Sequence, residues 1–303
     1  MSGSLVEGAA RKVALIMGIA NQRSIAMGCM ETFLRKGDWD VILTVQNERN
    51  QSKLRKLLEG RSHNGGGGGG RILGEFICDV TDPRSTDLFF HECLPEALDR
   101  SDRTLRSVIH SIAFAPDLRK PLLETNRESF LNAHEISAYS LIQVARESIP
   151  YLGRNGRQDV VVNESDSSSA SGSITTLSYL GADRAIPGYH SMGPAKASLE
   201  STVRGLALEL GQHRTTSGPI VRVNAVRAGP IPTLSSKGGI QNFERMRCDV
   251  QRTAPLGNVS VSQVAATVYH VAAEADGMTG QTIEVDGGYS VVAGPPVLPT
   301  DNA

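Results

Sequence analysis

Val13-Ala14-Leu15-Ile16-Met17-Gly18-Ile19-Ala20-Asn21-Gln22-Arg23-Ser24-Ile25-Ala26-Met27-Gly28 combines three local signals in one run. The first five residues are apolar and rich enough in branched side chains for a buried strand. A polar loop follows Gly18, and helical patterning then continues through Phe33 and Leu34 to a stop at Gly37. A strand, a glycine-bearing loop and a helix in this order form the unit in which a Rossmann fold seats a pyrophosphate on a helix N-terminus. The spacing is not GxGxxG. Gly18 supplies the tight turn, and Ser24 caps the helix and leaves backbone N–H groups for phosphate. The small Ala26 and Gly28 allow close packing of helix on sheet.

Further strands follow at regular intervals. Asp40–Val45 reads as the second and ends at Gln46-Asn47-Glu48-Arg49. A carboxylate at that end suits a free ribose 2′-hydroxyl and a cation suits a 2′-phosphate. Gln46 is neutral and Arg49 comes late, which favours NADH over NADPH; Glu48 and Arg49 read equally as the start of a solvated helix. Ile72–Ile77 is the third strand, leading to Cys78-Asp79-Val80. Asp79 can accept from an adenine amine or cap a helix beginning near Pro83. Ser107–His110 is the fourth, with His110 read as a buried structural histidine, followed by Ser111-Ile112-Ala113-Phe114-Ala115-Pro116.

Residues 127–151 read as a long helix with Leu131, Ile136, Tyr139, Leu141 and Val144 near helical spacing, suited to core packing or to subunit contacts. Both 159–163 and 173–177 look like strands, and the second leads directly into Tyr179. Val221–Val226 and Thr282–Val285 close the strand set, with helices at 187–213 and 261–275. Strands alternating with helices imply an α/β fold. It is expected to be one doubly wound parallel sheet of about seven strands, helices on both faces, in a single domain over 1–303. The six glycines Gly65–Gly70 and the polar run at 153–172 read as flexible insertions, the first spanning about 62–70. Residues 231–252 read as a mobile, partly helical segment.

Composition removes other classes. Hydrophobic residues make up 40% of the 303 and charged ones 21%, with a net charge of −1, so nothing points to nucleic acid or an anionic membrane surface. Cys29, Cys78, Cys93 and Cys248 are widely spaced and lack a CxxC or His/Cys cluster, which argues against a zinc site or a disulfide framework. MSGSLVEGAARK has no apolar core and there is no 18-residue apolar run, so neither a signal peptide nor a membrane span is expected.

The chemistry concentrates in Tyr179, Tyr189 and Lys196. If Tyr189 opened a helix, Lys196 would lie nearly two turns on, about 10 Å along the axis and on the same face. A phenol donates a proton, and a nearby ammonium holds a ribose hydroxyl and favours phenolate character. Pro194 is tolerable only in a first turn, which moves the regular helix start to near Gly193 and leaves Tyr189 in the loop before it. The same residues fit a staple and a solvated lysine.

Taken together, GIANQRSIAMG (18–28), CDV (78–80), HSIAFAP (110–116), TLSYLGADRAIPGYHSMGPAKASLE (176–200), VRVNAVRAGPI (221–231) and EVDGGYS (284–290) resemble the enoyl-[acyl-carrier-protein] reductases of the short-chain dehydrogenase/reductase superfamily. The most specific feature is Tyr179-x9-Tyr189-x6-Lys196, where ordinary members of the superfamily carry Tyr-x3-Lys. In an enoyl thioester the carbon that accepts hydride and the carbonyl oxygen lie roughly 3 Å apart rather than one bond length. The longer spacing is compatible with a phenol set further from the nicotinamide.

The resemblance implies reduction of a trans-2-enoyl thioester on acyl carrier protein by NADH. It assigns Tyr189 to the developing enolate oxygen, Lys196 to the nicotinamide ribose and Tyr179 to the acyl pocket. Gly18, Ala20, Ser24 and Ile25 would cradle phosphate; Gln46, Asp79 and Val80 would flank the adenosine; Ser111, Ile112 and Ala113 would lie beneath ribose and nicotinamide. Gly229, Pro230, Ile231 and Thr233 would meet the carboxamide and pyrophosphate. Ala115, Met192 and Phe243 would join the tyrosines around substrate, beneath a covering loop at 234–247. A homotetramer is implied, and a cytoplasmic location (or the plastid stroma once a transit peptide is removed). Three features depart from the family: a longer 153–172 loop, the hexaglycine run, and Arg227 where a small residue usually precedes Ala-Gly-Pro, a cation expected beside the cofactor. A carbonyl or alcohol oxidoreductase of the same fold, and an NAD(H)-binding regulator without chemistry, remain the alternatives.

Overall fold

The computed structural model describes residues 11–59, 69–99, 103–153, 172–211, 220–233, 236, 240 and 242–293. Strands β1 (Arg11–Met17), β2 (Trp39–Val45), β3 (Ile72–Ile77), β4 (Arg103–His110), β5 (Gly172–Tyr179), β6 (Val221–Ala228) and β7 (Thr282–Val285) form one sheet in the order β3-β2-β1-β4-β5-β6-β7. Every neighbouring pair is parallel. The helices are α1 (Ile25–Arg35), α2 (Glu48–Glu59), α3 (Pro83–Leu88), α4 (Leu94–Asp99), α5 (Arg127–His134), α6 (Ser140–Ser148), α7 (Met192–Gly211), α8 (Phe243–Thr253) and α9 (Val261–Ala273). The expected doubly wound architecture is the one found. Among the described residues no helix is long and apolar enough to cross a membrane.

β1 explains why its sequence is apolar without alternation. Val13, Leu15 and Met17 pack with Leu141, Val144, Leu199 and Val203 on one face. Ala14 and Ile16 pack with Met27, Met30, Val264 and Val268 on the other. Both faces of a central parallel strand are covered, so every position is buried. Fully burying each Leu or Ile contributes about 1.5–3 kcal/mol before chain entropy is counted.

Two expectations change. Gly28 does not serve helix-to-sheet contact: a Cβ there would stand 2.5 Å from Val261 Cγ1, so it sets the approach of α1 to α9. The helix expected at 127–151 is broken by a π turn at Glu135–Tyr139 between α5 and α6. The wider turn shifts the phase of the helical residues beyond it; Leu141 and Val144 are buried, while Tyr139 within the turn and Leu131 before it are 49% and 53% exposed. Strand β5 is the second of the two candidates, paired with β4 and β6. The first, at 159–163, and most of both expected insertions lie outside the described residues. The four cysteines stand as free thiols, and burial pushes those of Cys29 and Cys78 up to about 12.

Candidate active site

The strand order reverses direction between β1 and β4, and in such sheets the crevice outside the carboxyl ends at that point receives ligands. Gly18 ends β1 there with φ 83°, and a Cβ on it would lie 2.2 Å from the Ser111 carbonyl oxygen after β4. Only a residue without a side chain fits that approach. Ser24 is the cap of α1: its Oγ accepts from Met27 N at 3.3 Å and donates to Asn21 O at 2.8 Å. The first-turn amides of α1 precede any intrahelical acceptor and carry the positive end of the helix dipole. A pyrophosphate fits this cradle of small residues and backbone donors.

A cavity of about 790 Å³ opens from it. Its wall holds Gly18, Ala20, Ser24, Ile25, Ser111, Ile112, Ala113, Ala115, Tyr179, Tyr189, Met192, Lys196, Gly229, Pro230, Ile231, Thr233 and Phe243. All but three of the residues that the resemblance assigns to the site are therefore brought together. Gln46, Asp79 and Val80 lie outside that wall, at the ends of β2 and β3. Gln46 Nε2 donates to Asp79 Oδ2 at 3.1 Å, and Asp79 Oδ1 accepts from Thr81 N and Oγ1. The cap of α3 is Asp82, not Asp79. Val80 is buried in the core. Glu48 and Arg49 are exposed in the first turn of α2, so they begin a solvated helix.

Tyr189 sits in the turn before α7, as Pro194 requires: the proline is the third residue of the helix, and Gly193 N donates to Tyr189 O at 3.0 Å. Gly181 makes room for the ring, since a Cβ there would lie 2.4 Å from Tyr189 Cδ1. The rings of Tyr179 and Tyr189 meet edge to face with centroids 4.9 Å apart. Lys196 is buried and donates from Nζ to Leu177 O at 2.8 Å. Burial pushes its ammonium down to about 8, against a smaller opposing effect of Glu200. Burial, reinforced by the neighbouring Tyr179, pushes the Tyr189 phenol above its ordinary range; burial does the same for Tyr179, with a smaller effect of Tyr289. Both therefore remain hydroxyl donors, and the phenolate character expected from the nearby ammonium is overridden by desolvation.

The other side of the cavity is closed by Ile231, Thr233, Ser236, Ile240 and Phe243. Ser236 Oγ donates to Ile231 O at 2.6 Å. Tyr179 Oη donates to Met246 Sδ at 3.3 Å, tying α8 to the end of β5. Residues 234, 235, 237–239 and 241 of the expected covering segment lie outside the described residues. Gly181, Ser236, Ile240 and Met246 were not singled out from sequence. A glycine between two tyrosines was the available signal for the first; Met246 offered none, lying 67 positions from its partner.

His110 is buried between Thr176 Oγ1 on Nδ1 and Ser140 Oγ on Nε2, both at 2.9 Å. Burial, with a further push from Lys196, lowers it to about 3, so it is a neutral packing residue. Arg227, expected beside the cofactor, is instead absent from the cavity wall and lies buried in ion pairs with Glu200 and Glu284.

A family model described as Enoyl-(Acyl carrier protein) reductase matches residues 18–290. The enoyl-[acyl-carrier-protein] reductase [NADH] FabI of Bacillus cereus is 35% identical over 288 residues, covering 93% of this chain and 97% of that protein. The [NADPH] FabI of a Staphylococcus aureus strain is 35% identical over 285 residues, covering 93% and 97%. The solved FabI of Candidatus Liberibacter asiaticus superposes with a TM-score of 0.77 at 29% identity, covering 95% of this chain and 99% of that one. An Anaplasma phagocytophilum enoyl-(acyl-carrier-protein) reductase solved in complex with NAD gives 0.75 at 28%, covering 96% of each.

Proposed function

Since the chain belongs to the enoyl-[acyl-carrier-protein] reductase family, we propose that its cavity reduces the trans-2 double bond of enoyl thioesters carried on acyl carrier protein, with NADH, in the last step of the type II fatty acid elongation cycle. The supporting observation is the pair of protonated phenols, Tyr179 and Tyr189, on one wall with a buried ammonium, Lys196. Bound in the cavity, a reduced nicotinamide would supply the hydride for the β-carbon, and the resulting enolate would take a proton at the α-carbon to complete the reduction. The Tyr189 hydroxyl donates to the thioester oxygen as negative charge builds there, a stabilisation that is stronger in the transition state than in the bound substrate. The Lys196 ammonium would hold the nicotinamide ribose. Tyr179 lines the acyl pocket beside Ala115, Met192 and Phe243, and its bond to Met246 holds α8 over the substrate.

NADH is favoured over NADPH because Asp79 with Gln46 presents a carboxylate at the ends of β2 and β3, where a 2′-phosphate would be repelled. The fused reading of 1–303 as one reductase unit, with 231–252 as its cover, belongs to the same proposal. So does a homotetramer, supported by the exposed Leu131 and Tyr139 beside Ile142, Ser198 and Thr202. A cytoplasmic location follows the same reading.

The test is steady-state turnover of NADH against NADPH with 2-enoyl thioesters of two chain lengths, beside a panel of ketones and alcohols. Enoyl turnover with preference for NADH supports the proposal. Turnover of ketones or alcohols alone assigns carbonyl chemistry, and cofactor binding without any turnover assigns a sensing role.

A further inference from the structure

Lys196 and Glu200 are four residues apart on α7, the spacing at which opposite charges on a helix ordinarily pair. Here they do not share a bond that either needs. Lys196 Nζ is given to Leu177 O at 2.8 Å. Both oxygens of Glu200 are committed elsewhere: Oε1 accepts from Ser178 Oγ and, at 3.0 Å, from Arg227 Nε, while Oε2 accepts from an Arg227 Nη at 2.6 Å. The second Nη of Arg227 is bonded to Glu284 on β7. Lys196, Glu200 and Arg227 are 4%, 7% and 9% exposed, so these charges interact with little solvent screening.

We propose that Arg227 is a positioning residue for the cofactor site: by occupying Glu200, it prevents an ion pair between Glu200 and Lys196 and leaves the Lys196 ammonium directed into the cavity. The inference rests on the reading that Lys196 holds the cofactor. Arg227 reaches no cavity atom itself and acts through a carboxylate one helical turn from the lysine. The departure from the small residue usual at this position thus adds a counter-ion rather than a cofactor contact. The other groups around Lys196 leave Glu200 as the negative charge in play. His110 from β4 is neutral, Tyr179 and Tyr189 are protonated, and Glu284 lies beyond Arg227.

Three variants test it: Arg227→Ala, Arg227→Lys, and Arg227→Ala combined with Glu200→Gln. Releasing Glu200 in Arg227→Ala should raise KM for NADH about tenfold, as expected for diverting one charge-assisted contact, with a smaller change in KM for the thioester. It should also move the basic limb of the NADH kcat/KM profile up by about one pH unit, because an ammonium paired with a carboxylate keeps its proton longer. Adding Glu200→Gln removes the competing charge and should return both quantities toward wild type. Arg227→Lys keeps a cation on Glu200 and should preserve the wild-type limb.

A folded Arg227→Ala with unchanged KM and limb overturns the proposal. So does a double variant as impaired as the single, which would mark Arg227 as a brace between strands. If Arg227→Ala does not fold, Arg227→Gln, which keeps a donor but no charge, carries the same expectations at smaller size and the same refutations. The wild type separates this inference from the functional reading beneath it. If it fails to turn over enoyl thioesters, the functional reading falls; an active wild type with unresponsive variants overturns this inference alone.

Discussion

The rings of Tyr179 and Tyr189 pack edge to face, centroids 4.9 Å apart and planes at 67°, and only the first reaches across to α8 through Met246. Two chemically identical side chains thus have different mechanical duties. Tyr179 Oη bonds to α8, while Tyr189 lies in the turn before α7 and lines the cavity. Tyr179→Phe removes the bond to sulfur and keeps the ring contact. It should raise KM for the thioester about threefold and leave kcat within about twofold, in line with a weak contact of well under 1 kcal/mol. Limited proteolysis near 231–252 should be faster in the variant. A collapse of kcat instead would place Tyr179 in the chemistry.

Gly18 is the tightest point of the proposed phosphate cradle. An alanine there carries the cost of left-handed backbone, roughly 1–2 kcal/mol, besides the 2.2 Å approach to Ser111 O. Gly18→Ala should lower Tm by several degrees, on the scale of about 2–4 °C per kcal/mol for a protein of this size class. It should also weaken NADH binding more than about tenfold, read by calorimetry. Wild-type affinity in a folded Gly18→Ala would remove this turn from the binding site.

Activity and stability should move in opposite directions in alkali. Lys196 is lowered from 10.5 to about 8 in the fold. Between those values the unfolded chain binds more protons at this group than the native one, so its contribution to the unfolding free energy grows as pH rises. Over the same interval the ammonium is lost, and kcat/KM for NADH should fall as pH rises through about 8. Lys196→Met should abolish the lysine's share of both trends. Denaturant unfolding and kinetics at matched pH check the signs; a rate that is flat across pH 8 would contradict the assignment of Lys196.

His110 gives the acid counterpart. Its folded value, about 3, is below the ordinary 6.5. The native state resists protonation in that window, so stability should decline as pH falls from 6.5 toward 3. His110→Gln should flatten the part of that decline due to this residue, measured by chemical denaturation, while leaving a neutral side chain between Thr176 and Ser140. An unaltered acid profile would show that the histidine is hydrated and titrates freely.

The local parts of this architecture were legible in the residues. The strand at Val13–Met17, the turn at Gly18 and the Ser24 cap are set by neighbours within a few positions, and Pro194 alone located the start of α7. Features joining distant segments were not legible. Gln46 meets Asp79 33 positions away, and Arg227 meets Glu200 and Glu284 at separations of 27 and 57. A cation expected from its place in the chain to face the cofactor faces a carboxylate instead, because alternate residues of a strand point to opposite faces and the partner comes from α7. Tyr139 is exposed for a comparable reason: it lies in a π turn, which changes the phase of a helical pattern without leaving a mark in it.

Tyr189 is the residue on which the proposed chemistry turns. Purified wild-type protein should oxidise NADH with crotonyl thioester. Tyr189→Phe, which keeps the ring but removes the donor, should lose about 10²–10³ in kcat with NADH affinity nearly unchanged. Equal kcat for the two proteins would contradict the account.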